Sequence, residues 1–219
     1  MISLPRLYPI VDSACFGSTQ ELVAAAGELA SAGCTLLQYR NKSGNARLML
    51  EQARELSRRF GDDAHLSRED PVQPDHSGIR LIMNDRADLC LAAEFDGVHV
   101  GQDDLSPESV RRIVGAGRWL GVSTHNPEQL RDADLTSADY LAIGPVFATV
   151  SKEKPDPVVG LEGVRRAREL TRKPLVAIGG ITRANAASVI GAGADSVAVI
   201  SDLLRNPGKS AEEFLWILR

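Results

Sequence analysis

Aromatic residues, cysteines and long apolar runs are all scarce in this chain. Aromatic side chains make up 5% of the 219 residues, and there are three cysteines. Cys15, Cys34 and Cys90 lack the spacing of a zinc site, and their odd number fits reduced thiols in a cytoplasm better than a disulfide-stabilised secreted domain. We therefore expect all three to be small core residues.

Membrane spans and excess positive charge are also missing. No window of the sequence reaches the about 20 apolar residues that cross a bilayer, and no basic segment followed by a long apolar one begins the chain. The net charge is −4 and the isoelectric point is near 5.6, whereas nucleic-acid-binding domains usually have clustered basic residues and an isoelectric point above about 9. We expect a soluble, cytoplasmic protein that binds neither nucleic acid nor membrane.

What the chain does contain is a regular alternation of two patterns. Short runs rich in valine and isoleucine alternate with helix-period segments, which is typical of repeated βα units and a parallel sheet. Because a single barrel needs about 200 to 250 residues, the prediction is an α/β fold, a (β/α)₈ TIM barrel in one domain. The predicted strands are Leu7–Val11, Thr35–Tyr39, Arg80–Met83, Gly97–Val100, Trp119–Ser123, Tyr140–Ile143, Leu175–Ile178 and Ser196–Val199.

One segment, Gly61–Ser77, interrupts this alternation. It is polar, contains prolines and has no period, and it falls in an αβ connection. Such connections run on the face of a barrel opposite the active site, so we expect an irregular surface insertion there. A role for it in association stays open.

The late strands end in glycine or hydroxyl residues. Gly179 and Gly180 follow the seventh strand, and Ile200 and Ser201 follow the eighth and begin a short segment with helical character. Backbone N–H groups at such positions form the usual phosphate cradle of barrels. The alternative is that the two glycines only allow a tight turn.

Polar and charged residues also follow the earlier strands. Because the carboxyl ends of barrel strands meet at one rim, these residues should converge. Two carboxylates beside several cations fit a diphosphate held with Mg²⁺. The residues in question are Gln38, Arg40, Lys42, Asn84, Asp85, Gln102, Asp103, Asp104, Ser123, His125, Thr149, Ser151 and Lys152.

Less specific interpretations of these residues are open. In one alternative, Arg40 with Asp85 and Lys42 with Asp104 form ordinary salt bridges at the rim and bind no ligand. In another, Asn84 or Asp85 caps the helix that follows the third strand. The residues alone do not decide between Asp103 and Asp104 as a metal ligand.

Two histidines lie near the predicted rim. His125 precedes a helix start, where an orienting role is favoured over acid–base catalysis. The alternation of the fourth strand directs His99 into the barrel, and we expect a neutral, hydrogen-bonded imidazole there.

An ordered set of motifs resembles the thiamine-phosphate synthase family. The motifs are QYRNK, NDRADL, DGVHVGQDDL, GVSTH, DYLAIGPVFATVSK, VAIGGI and VAVIS, and they span nearly the whole chain. The resemblance implies a transferase that joins 4-amino-2-methyl-5-hydroxymethylpyrimidine diphosphate to hydroxyethylthiazole phosphate by a dissociative displacement, giving thiamine phosphate and pyrophosphate. Asn41 and Ser151 depart from the acidic residue and the threonine that are common in the family.

The resemblance also assigns site residues, which we state as expectations. The catalytic set is Arg40, Lys42, Ser123 and Lys152. Asp85 and Asp104 would bind one Mg²⁺ ion. The pyrimidine diphosphate would contact Gln38, Tyr39, Arg40, Asn41, Lys42, Asn84, Ser123 and Lys152. The thiazole phosphate would contact Thr149, Val150, Ser151, Gly180, Ile200 and Ser201.

Two other functions compete with this expectation. A thiazole tautomerase of the same barrel family would bind a thiazole phosphate without needing a diphosphate and metal site. A non-catalytic sensor of phosphorylated ligands would need only the phosphate cradle. The charged residues at the early strand ends argue against both, and the sequence leaves homodimer formation open.

Overall fold

The computed structural model describes residues 2–61, 79–149 and 156–219. Within these ranges eight parallel strands close into a barrel in chain order, so the predicted (β/α)₈ fold is confirmed. Each strand lies within one residue of its predicted bounds, because buried β-branched runs are a strong strand signal. The strands are β1 (Leu7–Asp12), β2 (Leu36–Arg40), β3 (Arg80–Asn84), β4 (Gly97–Val100), β5 (Trp119–Thr124), β6 (Tyr140–Ile143), β7 (Leu175–Ile178) and β8 (Ser196–Val199).

Helices follow the strands and surround the barrel. Ser106 and Asn126 cap two of them by accepting the backbone N–H of the residue three positions on, and a proline occupies the first turn of each. The helices are α1 (Thr19–Ser31), α2 (Ala46–Phe60), α3 (Ala87–Ala92), α4 (Pro107–Val114), α5 (Pro127–Asp134), α6 (Gly160–Leu170), α7 (Ala186–Gly191), α8 (Ser201–Leu204) and α9 (Pro207–Ile217).

The last helix corrects a sequence-based bound. The apolar period predicts a start at Ala211, whereas α9 begins at Pro207. Proline is well suited to the first helical turn, where its missing N–H needs no partner, so the helix extends back to it.

Strand alternation divides the buried residues into two layers. On β1, Leu7 and Val11 pack outward against the helices, whereas Tyr8 and Ile10 point into the barrel. The interior layer is completed by residues from the other strands. Its buried hydrophobic members are Tyr8, Ile10, Leu36, Ile82, Tyr140, Ala142, Val176 and Ala198.

The cysteines only partly meet expectation. Cys34 and Cys90 are buried in the outer layer, as predicted. Cys15 is exposed, which contradicts its assignment to the core. It lies in a 3₁₀ turn (Ser13–Cys15) that follows β1, and none of the three residues of this turn is buried.

An aspartate recurs at the face of the barrel where the amino ends of the strands lie. Asp96, Asp139 and Asp195 each directly precede a strand, and each carboxylate accepts the N–H of a residue on the strand before it, at 2.7, 2.8 and 2.8 Å. These bonds link neighbouring βα units at their amino ends. They give a physical reason for the recurrent helix, acidic turn and strand plan in the sequence.

Two further expectations concern the predicted insertion and membrane-spanning helices. Residues 62–77 of the predicted insertion lie outside them, while Gly61 ends α2 as its C-cap. Among the helices in residues 2–61, 79–149 and 156–219, none is both long and apolar enough to cross a bilayer.

Candidate active site

The carboxyl ends of β1 to β4 carry a cluster of charged and amide side chains that we call the early rim (Asp12, Arg40, Lys42, Asn84, Asp85 and Asp104). Arg40 forms an ion pair with Asp12, and Lys42 forms one with Asp85. The predicted pairs Arg40–Asp85 and Lys42–Asp104 are therefore wrong. The reason is register: Asp12 and Arg40 are direct partners on the neighbouring strands β1 and β2.

Asp12 is a site residue that the sequence reading missed. Its side chain is buried, and besides meeting Arg40 it accepts the backbone N–H of Ala14 at 3.1 Å. An acidic residue directly after LYPIV is the available signal, because the first strand ends at the same rim as the others. Asp12 holds the Arg40 guanidinium over the mouth of the barrel.

Asp85 and Asp104 lie next to each other. Burial raises the pKa of Asp85, Lys42 lowers it, and the neighbouring Asp104 carboxylate raises it further, so that the pKa of Asp85 is raised overall. The backbone of Asp85 has a left-handed φ of 63°, which aspartate tolerates better than most residues. Its N–H donates to the carbonyl of His99 at 2.8 Å.

This pair of carboxylates fits a Mg²⁺ ion. Magnesium is held by one or two carboxylates, with substrate phosphates and water filling the remaining positions. The described part of the chain has no group of three or more His, Cys, Asp or Glu residues arranged for a metal. The two adjoining carboxylates at this place are those of Asp85 and Asp104. The helix-cap alternative is wrong, because Arg86 is the N-cap of α3 and makes no side-chain cap.

Asn84 ends β3 beside these carboxylates. Its amide nitrogen is buried, yet it finds no hydrogen-bond partner among the described residues. An unsatisfied buried amide costs about 1 to 3 kcal/mol, so this group calls for an acceptor from a ligand.

Tyr39 and Asn41 are placed apart from the early rim. Tyr39 alternates with the inward-facing Gln38 and Arg40, so its hydroxyl faces α2 and donates to Gln52 at 2.6 Å. The Asn41 amide donates to the same Gln52 oxygen at 2.9 Å. Both side chains therefore bind α2, and the structure does not bring them together with the other residues predicted to contact the diphosphate.

Gln38 and Ser123 lie at two ends of a hydrogen-bond chain inside the barrel. The Gln38 amide donates to the Tyr8 hydroxyl at 3.0 Å, and the Tyr8 and Tyr140 hydroxyls are 2.9 Å apart. His99 lies 3.1 Å from the Tyr140 hydroxyl through Nδ1 and 2.8 Å from Ser123 Oγ through Nε2.

The groups in the middle of this chain are uncharged. Burial lowers the pKa of His99 to about 4, so the imidazole is neutral near pH 7, as the sequence predicts. Burial also raises the pKa of Tyr8 and Tyr140, which keeps both phenols protonated.

The ends of β6 to β8 form a second region, which we call the late rim (residues 145–149, 179–180 and 200–204). Gly179 and Gly180 have φ values of 99° and 63°. A Cβ on Gly179 would lie 2.5 Å from Pro145 Cβ, and one on Gly180 would lie 2.5 Å from the Ala148 carbonyl oxygen. The glycine pair therefore allows the loop after β6 to lie directly on the end of β7, in addition to turning the chain.

The short helix α8 is held in place by a charged pair. Arg183 binds Asp202 through two guanidinium nitrogens, each at 3.1 Å, and its backbone N–H donates to the same carboxylate at 2.9 Å. Burial opposes ionisation of Asp202, but the hydrogen bonds from Arg183 outweigh it and lower the pKa of Asp202. Ile200 and Ser201 stand at the start of this helix, as predicted. Arg183 belongs to no motif singled out from the sequence, and Asp202 belongs only to the short segment that Ser201 begins.

His125 connects two loops. Its backbone N–H donates to Gln129, and its Nδ1 lies 2.7 Å from the Gly144 carbonyl oxygen, so the ring donates to the end of β6. Its Nε2 lies 3.5 Å from the Asp156 carboxylate. These contacts support the orienting role over acid–base catalysis.

Part of the predicted site lies outside the described residues. Val150, Ser151 and Lys152 belong to the range 150–155, while Thr149 is the last residue described before it. The expectations for these three residues stay predictions.

Known proteins resemble this chain along its whole length. A family described as thiamine monophosphate synthase matches residues 7–203. The thiamine-phosphate synthase of Koribacter versatilis is 58% identical over 220 residues, covering 99% of this chain and 97% of the relative. That of Chloroflexus aurantiacus is 42% identical over 197 residues, covering 90% and 83%. The structure of thiamine phosphate pyrophosphorylase from Pyrococcus furiosus superposes with a TM-score of 0.79 at 30% identity, covering 97% of this chain and 95% of that one.

Proposed function

The chain belongs to the thiamine monophosphate synthase family, and from this we propose how its site performs the reaction. The enzyme is a transferase, a thiamine-phosphate synthase that joins the aminopyrimidine diphosphate to the thiazole phosphate and releases pyrophosphate. The observation that carries the assignment of the site is the early rim at one mouth of the barrel. Two adjoining carboxylates, two cations and a buried amide without a partner among the described residues meet there.

The early rim is the proposed site of the pyrimidine diphosphate. In a dissociative displacement the bond between the pyrimidine methylene carbon and the diphosphate oxygen breaks first, and the electron pair leaves with pyrophosphate. Arg40 and Lys42, together with Lys152, neutralise the leaving group, and the Asn84 amide donates to one of its oxygens. The thiazole nitrogen then gives its lone pair to the methylene cation, which forms the new C–N bond.

The protein needs no nucleophile for this sequence of steps. The aminopyrimidine ring stabilises the transient cation, so catalysis consists of stabilising the leaving group and positioning the acceptor. Gln38 and Ser123 hold the ring from the barrel interior. This division of roles fits a site whose buried histidine is neutral and whose buried phenols stay protonated.

Asp85 and Asp104 are the proposed holders of one Mg²⁺ ion, and Asp104 is preferred over Asp103 because it adjoins Asp85. When bound, the ion supplies positive charge to the diphosphate oxygens. The raised pKa of Asp85 supports the assignment, since two neighbouring carboxylates are costly to ionise until a cation lies between them.

The late rim is the proposed site of the thiazole phosphate. Gly180 brings two loops together there, and α8 begins with Ile200 and Ser201 at the end of β8. Thr149, Val150 and Ser151 follow β6 in the sequence and complete the proposed set. Backbone N–H groups in such a place bind a phosphate without a matching cation.

The two substrates and the product distinguish the competing functions. Purified protein is incubated with both heterocyclic phosphates, with and without Mg²⁺, and thiamine phosphate and pyrophosphate are quantified. The proposal expects equal amounts of both products and dependence on Mg²⁺. Isomerisation of the thiazole phosphate alone would indicate the tautomerase, and ligand binding without conversion would indicate the sensor. A cytoplasmic location and a homodimer stay predictions that this assay does not address.

A further inference from the structure

Five polar side chains form one continuous chain across the interior of the barrel. It runs from Gln38 on β2 through Tyr8 on β1, Tyr140 on β6 and His99 on β4 to Ser123 on β5, with successive contacts of 3.0, 2.9, 3.1 and 2.8 Å. The three central residues are buried, with at most 8% of their surface exposed. Buried polar groups at this depth are stable only when each hydrogen has an acceptor.

The first contact and the need of each buried hydrogen for an acceptor together assign a direction to this series of hydrogen bonds. The Gln38 amide nitrogen donates to the Tyr8 oxygen, so we assign the Tyr8 hydroxyl hydrogen to the Tyr140 oxygen. On this assignment the Tyr140 hydroxyl donates to Nδ1 of His99. The neutral imidazole then has its hydrogen on Nε2 and donates it to Ser123 Oγ.

The two ends of the chain are left with opposite polarity. One N–H of the Gln38 amide is engaged by Tyr8. The Gln38 carbonyl oxygen is the acceptor that remains for a ligand, beside the second N–H. Because Ser123 accepts from His99, its own hydroxyl hydrogen is the donor that remains.

A glycine makes room for the chain at its centre. A Cβ on Gly121 would lie 2.4 Å from Nδ1 of His99 and 2.4 Å from the Tyr140 hydroxyl oxygen. Gly121 stands between these residues on neighbouring strands, since its register partners are His99 on β4 and Tyr140 on β6. Any larger residue there would separate the two groups, so the sequence of β5 is specifically compatible with the His99 to Tyr140 contact.

We propose that Tyr8, Tyr140 and His99 are positioning residues that orient Gln38 as an acceptor and Ser123 as a donor toward the substrate ring. The proposal deepens the proposed function and rests on it for the identity of the ligand. An aminopyrimidine presents the complementary pair, an exocyclic amino group that donates and a ring nitrogen that accepts. The chain would thereby select this ring over an oxo-pyrimidine, whose donor and acceptor at these positions are exchanged.

The tautomer of His99 tests the direction in which the hydrogen bonds from Gln38 to Ser123 are donated, and this test needs no substrate. Long-range ¹H–¹⁵N correlation spectra of the full-length protein report which imidazole nitrogen carries the hydrogen. We expect Nε2 to be protonated and Nδ1 to be unprotonated at pH 7. A hydrogen on Nδ1 would mean that the chain runs in the opposite direction, and it would overturn the proposal even if the protein makes thiamine phosphate.

Tyr140→Phe tests the function of the chain, because it removes one hydroxyl and keeps the ring. We expect kcat/KM for the pyrimidine diphosphate to fall about tenfold, the size of one lost buried hydrogen bond, while the KM for the thiazole phosphate changes less than about twofold. Tyr8→Phe interrupts the chain nearer to Gln38 and should have the same selective effect, which provides a second variant if the first does not fold.

Thr124→Val is the matched control. Thr124 lies next to Ser123 on the outward face of β5, is buried, and donates its hydroxyl to the Ala142 carbonyl at 2.8 Å. The substitution removes a buried hydroxyl hydrogen bond that does not belong to the series from Gln38 to Ser123. Equal kinetic losses in Tyr140→Phe, Tyr8→Phe and Thr124→Val would overturn the proposal and assign the phenols a structural role. If wild-type protein makes no thiamine phosphate, the proposed function fails, and the tautomer measurement still tests the chain.

Discussion

The early and late rims, which are the two proposed anion sites, are built in different ways. The early rim uses charged side chains, with Arg40 held by Asp12 and Lys42 held by Asp85. The late rim is shaped by backbone, since Gly180 lies where a Cβ would meet the Ala148 carbonyl. The charged pair of Arg183 with Asp202 fixes α8 in place.

This difference matches the charge of the two proposed ligands. A diphosphate that leaves with additional negative charge needs cations and a metal at the place where that charge develops. A monophosphate that only anchors its ring needs a shaped cradle of N–H groups. The two rims therefore predict different responses to substitution.

The largest effect should follow loss of a carboxylate from the early rim. For Asp85→Asn or Asp104→Asn we expect kcat to fall about 100-fold or more. The two carboxylates would hold the Mg²⁺ ion, and the positive charge of that ion stabilises the leaving group. Steady-state kinetics over a range of Mg²⁺ concentrations, with Mg²⁺ binding measured by calorimetry, checks this.

Asp103→Asn is the control for this pair. Asp103 is exposed and adjoins Asp104 in sequence, whereas the carboxylate that raises the pKa of Asp85 is that of Asp104. If Asp103→Asn and Asp104→Asn reduce kcat equally, the assignment of Asp104 to the metal is wrong.

A smaller effect, confined to the other substrate, should follow a change in the late rim. Gly180→Ala places a Cβ against the Ala148 carbonyl at a φ of 63°, so the loop after β6 must move. We expect the KM for the thiazole phosphate to rise about tenfold with little change in the KM for the pyrimidine diphosphate.

Gly191→Ala provides the comparison for Gly180. A Cβ there meets nothing within 4 Å, and no positive φ is required. Initial rates with each substrate varied in turn separate the two KM values. Loss of affinity for both substrates alike in Gly180→Ala would show that the two rims are not independent.

The smallest effect concerns stability, and it should have opposite signs at the two rims. The pKa of Asp202 is lowered in the fold, so its carboxylate stabilises the protein above its unfolded-state pKa, and this stabilisation is lost as the pH falls through its folded-state pKa. The pKa of Asp85 is raised, so its carboxylate destabilises the fold above its folded-state pKa, and this cost disappears in acid.

Thermal unfolding of two variants checks these signs. At pH 7 Asp202→Asn should lower Tm and Asp85→Asn should raise it, and both differences should shrink as the pH approaches 3. A lower Tm for Asp85→Asn at pH 7 would mean that Lys42 outweighs the burial of Asp85 and its repulsion from Asp104.

Much of the fold could be predicted from the sequence because strand signals are local. The β-branched runs give each strand to within one residue, and Ser106 and Asn126 mark helix starts. The start of α9 was misplaced because the apolar period gives a weaker signal than Pro207.

The site was predictable to the level of the rim but not of its contacts. Residues after each strand had to converge, and Asp85 and Asp104 do. Which cation meets which carboxylate depends on strand register, and so Arg40 meets Asp12 instead of Asp85. Strict alternation along β2 already implied that Tyr39 faces the helices.

The sequence by itself therefore determined the barrel, its order of strands and the kinds of residue at its mouth, because hydrophobic periodicity and turn chemistry are local properties. Only the tertiary structure decided which side chains form ion pairs and hydrogen bonds with each other. The hydrogen bonds from Gln38 to Ser123 join side chains of five strands, and the Tyr8–Tyr140 contact joins residues 132 positions apart in sequence. They exist because closure of the barrel brings β1, β6 and β4 side chains into one interior. A hydrogen bond tolerates a change of only a few tenths of an ångström in its donor–acceptor distance, and only the closed barrel sets that distance.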